Sequence, residues 1–173
     1  MSQLIDSLKL DSAYVMGLSD GGIVSLLLAE RRADKIKKAI AVGANNGTRG
    51  FVIPEGFSLD SVKIPTLESW AKYHEKDIEW YNGLTPKKDW RKMATNLNLM
   101  WYAKEYFSMS VYENIKIPTM IVLGDRDDIS LEHGLEMHRL IKNSQYCVLP
   151  NTTHEVFAER PDLISKIAID FFK

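Results

Sequence analysis

Apolar positions recur along this chain with two different periods, and the alternation between them predicts the order of elements. Leu4, Ile5 and Leu8 fall at helical spacing, which predicts a short amphipathic helix over residues 2–9. Ala13-Tyr14-Val15-Met16 is a compact apolar run ending at Gly17 and reads as a buried strand. Between Asp20 and Arg32, the residues Ile23, Val24, Leu27 and Leu28 mark a helix with one buried stripe. Ala39-Ile40-Ala41-Val42, closed by Gly43, reads as a second strand. Strand, helix and strand joined by short links imply a parallel pair with a right-handed crossover.

The middle of the chain breaks this rhythm. Gly47, Gly50, Pro54, Gly56 and Pro65 make residues 45–65 rich in turns and poor in periodicity. Two long helices are predicted next, about Thr66 to Tyr81 and Pro86 to Phe107, the second with proline in a first turn that tolerates it. Twelve of the 17 aromatic residues lie between Phe51 and Tyr112, including all four tryptophans. Such side chains pack a helical core or form an apolar lid over a cleft, and the two roles are compatible. The alternation resumes with a strand over Thr119–Leu123, stopped by Gly124-Asp125. A helix from about Leu131 to Lys142, a strand over Tyr146–Leu149 and a last helix from Pro161 to Phe172 complete the order. The prediction is an α/β protein, a parallel sheet with flanking helices, in one domain spanning 1–173 with a helical lid insertion at about 45–115.

Composition narrows the classes. With 173 residues, 45% apolar and 26% charged, the chain has the mix of a soluble globular domain. A chain of this size buries roughly 70% of its unfolded surface, enough for a core without disulfides or metal. The 22 basic and 23 acidic residues leave a net charge of -1 and no basic stripe, so no nucleic-acid partner is expected. No apolar run approaches the ~20 residues of a membrane span, and the first residues lack the pattern of a signal peptide. Cys147 is the only cysteine, which rules out an intramolecular disulfide and makes a reducing, cytoplasmic setting the expectation.

Chemistry enters at Gly17-Leu18-Ser19-Asp20-Gly21, a Gly-x-Ser-x-Gly pattern directly after a predicted strand and directly before a predicted helix. A serine on so tight a turn is lifted above the carboxyl ends of the strands, where open α/β folds bind ligands. The same turn sets the Asp20 backbone N–H at a helix N-terminus, where the dipole favours a developing oxyanion. The other reading is a glycine-rich connector that packs well and does nothing else. A serine nucleophile needs a base, and the base needs an orienting acid. Asp125, Asp127 and Asp128 follow the third strand, and His154 lies just beyond the fourth, so all candidates converge on one edge of the sheet. Asp125, directly after Gly124, suits a loop brace, and Asp128 suits the start of the next turn. His74 falls in a lid helix, while His133 and His138 fall on the helix after the acid loop, where packing or solvation is the expectation. Asp-x-Asp spacing alone does not make a calcium loop, and neither metal nor cofactor is expected.

These stretches resemble the α/β-hydrolase superfamily. AYVMGLSDGG (residues 13–22) is similar to its nucleophile elbow, PTMIVLGDRD (118–127) to its acid strand and loop, and LPNTTHEVFAERP (149–161) to its histidine loop. Ser-Asp-Gly-Gly and Gly-Ala-Asn at 43–45 resemble the branch of valacyclovir-hydrolase-like and proline-iminopeptidase-like enzymes. The resemblance implies Ser19 as nucleophile, Asp127 as orienting acid, since it is the second Asp of Gly-Asp-x-Asp, and His154 as general base. It implies a serine hydrolase of small carboxylic esters or amides working through an acyl-enzyme without cofactor. Two other readings stand beside it: a non-catalytic remnant serving as a binding or assembly module, and haloperoxidase-like or carbon–carbon bond hydrolysis on the same triad. In the family, roughly eighty more residues precede the elbow, carrying four strands and the second oxyanion donor. The expectation is therefore the second half of the fold, with residues 13–16 as an exposed apolar edge strand: either a chain truncated at its N-terminus or a homodimer that completes the sheet between two copies, with aggregation as a third outcome.

Overall fold

A computed structural model describes residues 1–58 and 63–173; residues 59–62 of the turn-rich stretch lie outside the described residues. In chain order the elements are α1 (Ser2–Ser7), β1 (Ala13–Leu18), α2 (Asp20–Arg31), β2 (Ile36–Val42), α3 (Leu67–Tyr73), α4 (Glu75–Leu84), α5 (Trp90–Trp101), α6 (Ser110–Asn114), β3 (Thr119–Gly124), α7 (Leu131–Leu140), β4 (Ser144–Leu149), α8 (Val156–Glu159) and α9 (Pro161–Phe172). They divide into two compact units. The first comprises Met1–Asn46, Gly50–Val52 and Phe107–Lys173; the second comprises Gly47–Arg49 and Ile53–Tyr106.

The first unit holds the sheet. Its strands run in the order β1-β2-β3-β4, and all three pairings are parallel, as the crossover spacing predicts. Parallel sheets need cover on both faces, which explains why every residue of β3 is buried. On one face Ile40, Val42, Met120, Val122 and Leu149 pack on Val156, Ile164 and Ala168 of the C-terminal helices. On the other, Ile5 and Leu28 pack with Ile36, Ala13 and Val15. β1 occupies one edge of the described sheet, and Tyr14 stacks on Phe172 there at 5.0 Å.

Several boundaries depart from the sequence pattern. In α2 Ile23 and Leu28 of the expected stripe are buried, Val24 is exposed, and the buried face also takes in Gly22, Ser25, Leu26 and Ala29. A stripe counted by hydrophobicity overlooks small residues, which here let the helix lie close to the strands. The helix expected over 66–81 breaks at His74 (φ -120°, ψ 30°) into α3 and α4, with the imidazole stacked 4.1 Å from Trp70 and bonded to Asp77 at 2.9 Å. The helix expected from Pro86 starts at Trp90 instead. Lys88 has φ 50°, incompatible with a helix, and the Asp89 carboxylate caps α5 by accepting the Lys92 N–H. That helix ends at Trp101, and the short α6 and α8 are too brief to leave a periodic signal.

Asn46 and Phe107 bound the excursion of the chain into the second unit. The fully buried Asn46 amide bonds to both backbone groups of residue 107, Nδ2 donating to its carbonyl at 2.7 Å and Oδ1 accepting its N–H at 3.1 Å. The Asn46 N–H donates in turn to Nε2 of the buried His133. Truncation to Asn46→Ala strands both groups of residue 107, and an unmade buried hydrogen bond costs about 1–3 kcal/mol. An unfolding free energy, from urea denaturation, lowered by that amount relative to the unaltered chain is the expected result.

Candidate active site

The site begins with a backbone constraint at the end of β1. Ser19 adopts φ 56° and ψ -120°, a region that non-glycine residues avoid at a cost of order 1–3 kcal/mol. It is held there on both sides. Its N–H donates to the Val42 carbonyl at 2.8 Å, and its own carbonyl accepts the Ile23 N–H in the first turn of α2. So sharp a turn drives β1 and α2 together. A Cβ on Gly17 would lie 2.2 Å from the Gly21 carbonyl oxygen, and one on Gly22 would lie 2.9 Å from the Val42 carbonyl. Gly22 lies outside the Gly-x-Ser-x-Gly spacing yet is needed for this approach, whereas a Cβ at Gly21 meets nothing within 4 Å. Asp20 opens α2, at the positive end of the helix dipole.

The acid loop follows β3. Of its three carboxylates only Asp127 is buried; Asp125 and Asp128 are exposed. Asp127 Oδ1 accepts the Ile129 N–H at 3.0 Å and Oδ2 lies 3.4 Å from the Gly124 N–H, so the loop's own backbone orients the carboxylate. Its remaining partner is His154, whose Nδ1 donates to Oδ1 at 2.8 Å. This bond fixes the tautomer and leaves Nε2 as the acceptor. His154 is displaced upward from its ordinary pKa of 6.5, chiefly through that hydrogen bond; burial opposes the shift, and the negative charge of Asp127 adds a smaller push upward.

The loop carrying His154 is fastened by residues that no motif announces. Asp125 braces it by accepting the Thr152 N–H at 3.0 Å, and its carboxyl is held below the usual range by the backbone donors of Thr152 and Asn151. The Arg126 guanidinium bonds Asn151 at 2.6 Å, and Glu159 accepts both the N–H and the hydroxyl of Thr153. Arg160 reaches back to the carbonyls of Pro150 and Asn151. Only Asp125 carries a local signal, its place after Gly124; the others are surface charges until the fold closes.

Ser19 and His154 both lie against the end of β2. The Ser19 N–H is bonded to Val42, and the next residue, Gly43 (φ 56°), has the imidazole lying on it. A Cβ at Gly43 would stand 2.7 Å from His154 Cε1. Ser19, Asp20, Asp127 and His154 thus lie together at the carboxyl ends of the strands. The other histidines lie elsewhere. His133 is buried against Asn46, His138 bonds Ser144 at 2.8 Å, and His74 belongs to the second unit. Cys147 packs into the core beneath α9, and burial pushes its thiol pKa up, away from nucleophilic chemistry. Among the described residues no three His, Cys, Asp or Glu side chains are grouped to hold a metal ion, and no helix is long and apolar enough to cross a membrane.

Residues 2–167 match the family described as "Alpha/beta hydrolase family". The chain belongs to the alpha/beta hydrolase family. It is 24% identical over 173 residues to human "Serine hydrolase BPHL", covering 98% of this chain and 58% of that protein. It is also 24% identical to 2-hydroxy-6-oxononadienedioate/2-hydroxy-6-oxononatrienedioate hydrolase 1 of Pseudomonas putida, covering 97% of this chain and 65% of that one. Among solved structures, the enol-lactonase of Burkholderia xenovorans superposes with a TM-score of 0.65 at 24% identity, over 98% of this chain and 68% of the other. A meta-cleavage product hydrolase of Pseudomonas fluorescens reaches a TM-score of 0.69 at 18% identity, over 98% and 67%. These likenesses establish the fold. This family member thus spans about three fifths of the human relative's length.

The raised pKa of His154 has a signed consequence. Its folded value lies above the unfolded one, so the His154–Asp127 pair contributes fully to stability below about pH 6.5 and loses that contribution as pH rises through the folded pKa. In Asp127→Asn the imidazole C–H signals of His154 should titrate at lower pH than in the unaltered chain. The stability gap between the two proteins should be widest in acid and narrow toward alkaline pH. NMR titration and urea unfolding across pH check both.

Proposed function

We propose that this chain is a serine hydrolase of small carboxylic esters or amides, working through an acyl-enzyme on Ser19, His154 and Asp127. The observation that carries the reading is the buried Asp127 carboxylate bonded at 2.8 Å to a His154 imidazole that lies against the strand end beside the strained Ser19 turn. In this reading the Ser19 hydroxyl oxygen attacks the substrate carbonyl while His154 Nε2 takes its proton. Asp127 holds the tautomer and stabilises the imidazolium that forms. The tetrahedral oxyanion is stabilised by the Asp20 backbone N–H and the positive end of α2. Collapse of that intermediate breaks the ester or amide bond, and His154 returns the proton to the departing alcohol or amine. Water then repeats the sequence on the acyl-enzyme, releasing the acid and restoring Ser19. No step calls for a metal or cofactor. The twelve aromatic residues between Phe51 and Tyr112 in the sequence support an apolar or aromatic acyl group as substrate, and the single cysteine is compatible with a cytoplasmic setting.

The test is intact-mass analysis after treatment with a fluorophosphonate, with Ser19→Ala alongside. One stoichiometric adduct on the unaltered chain and none on the variant is the expected outcome. Asp127→Asn should label about 10⁴-fold more slowly, the loss typical of an imidazole left in the wrong tautomer. Because His154 acts as a base only when neutral, the labelling rate should climb with pH and level off above its raised pKa. A folded chain that forms no adduct overturns the reading and leaves a non-catalytic binding or assembly module in its place.

A further inference from the structure

The loop that carries His154 is held on its two sides by different means. On the sheet side the end of β3 lies directly against it. A Cβ on Gly124 would collide with the Thr152 carbonyl and stand 2.7 Å from the Thr153 carbonyl oxygen. From the same side the Asp125 carboxylate accepts the Thr152 N–H, and the Arg126 N–H donates to the Thr152 carbonyl, each at 3.0 Å. Among the described residues, the hydrogen bonds from the acid loop to this loop's backbone end at Thr152, two residues before His154.

On the outer side one carboxylate takes over where those bonds stop. Glu159 closes α8 and turns back across the loop, Oε2 accepting the Thr153 N–H at 2.8 Å and Oε1 the Thr153 hydroxyl at 2.9 Å. The Thr153 hydroxyl oxygen accepts the Glu155 N–H in turn at 3.3 Å. Both neighbours of His154 are thus tied to Glu159, residue 153 directly and residue 155 through the hydroxyl. The two bonds from Thr153 hold the Glu159 carboxyl below the usual glutamate range, which keeps it a double acceptor near neutral pH. Thr153 and Glu159 are exposed, so the clasp fills no part of the core, and water competes for both partners. What it fixes is direction. The backbone at 153 and 154 sets where the imidazole points, whereas Asp127 and Gly43 act on the ring alone.

We infer that Glu159 is a positioning residue for His154, fixing through Thr153 the backbone from which the imidazole reaches Asp127 and lies on Gly43. The inference rests on the hydrolase reading above and adds to it a carboxylate bonded to Thr153 rather than to the imidazole. Its effect on rate is geometric, since displacing a catalytic group by about 1 Å costs up to about 10²-fold.

The test follows the fluorophosphonate labelling rate against pH, with urea unfolding, in the unaltered chain, Glu159→Ala, Glu159→Gln, Thr153→Val and Thr153→Ser. Glu159→Ala should lower the high-pH plateau by about 10- to 100-fold while its urea midpoint stays close to that of the unaltered chain. Its half-maximal pH should also fall, because a misdirected imidazole loses part of the Asp127 bond that raises its pKa. Glu159→Gln keeps one acceptor oxygen and should lie between the two. Thr153→Val should lose part of the rate, and Thr153→Ser, which restores the hydroxyl, should recover it. Glu159→Ala combined with Thr153→Val should be no slower than Glu159→Ala alone, since both open one clasp. The inference is overturned if Glu159→Ala labels like the unaltered chain. It is equally overturned if the rate falls only in step with the folded fraction and the pH midpoint stays put, since Glu159 then merely props α8. An unaltered chain that forms no adduct overturns the hydrolase reading itself, and the positioning role with it. Should Glu159→Ala fail to fold, Glu159→Gln and the Thr153 pair decide the matter.

Discussion

Parallel pairing is the constraint on which the first unit depends. Four strands that all run the same way must all end at the same edge of the sheet, and each connection must cross back over a face to begin the next strand. The loops leaving β1, β2, β3 and β4 are therefore neighbours, whatever their separation along the chain. Ser19, Gly43, Asp127 and His154 occupy those four loops. Helices that cover both faces bury the strands, and that burial offsets the local strain at the strand ends.

Strain and burial at that edge act on the same few residues. Ser19 holds an unfavourable backbone conformation because two hydrogen bonds and the close passage of α2 over Gly17 leave no alternative. Asp127 is a buried carboxylate, which is costly unless charge and hydrogen bonds compensate, and it has Ile129, Gly124 and His154 as partners. His154 in turn depends on Gly43, where any side chain would displace the imidazole. Around it, Asp125, Arg126, Glu159 and Arg160 pin the loop from outside through exposed bonds that carry geometry more than stability.

The second unit is organised differently. It has no sheet among its described residues, and its helices are short, so local propensity alone supports them weakly. The run of stacked rings from Trp90 through Trp70 to His74 supplies large apolar area with little rotamer entropy lost. The same stacking explains the break between α3 and α4, because the His74 ring is committed to Trp70 and Asp77.

Much of this was legible in the residues alone. Short apolar runs, the first three closed by glycine, mark β1 to β4, and the spacing between them requires crossovers, so the parallel sheet follows from periodicity. The placement of residues 19, 127 and 154 at strand ends follows from the same pattern, since each lies just beyond an apolar run. What tertiary structure decided is everything that depends on approach between distant segments. Asp127 differs from Asp125 and Asp128 by burial, which three neighbouring carboxylates in a sequence do not reveal. Gly22 matters because of a carbonyl on β2, and the buried face of α2 adds Gly22, Ser25 and Ala29, which a hydrophobic count ignores, to Ile23 and Leu28. The helix breaks at His74 and before Trp90 come from ring stacking and a capping carboxylate, which outweigh the weak helix propensities of a few residues. Periodicity records which side of an element is apolar; only the folded chain determines what lies against it.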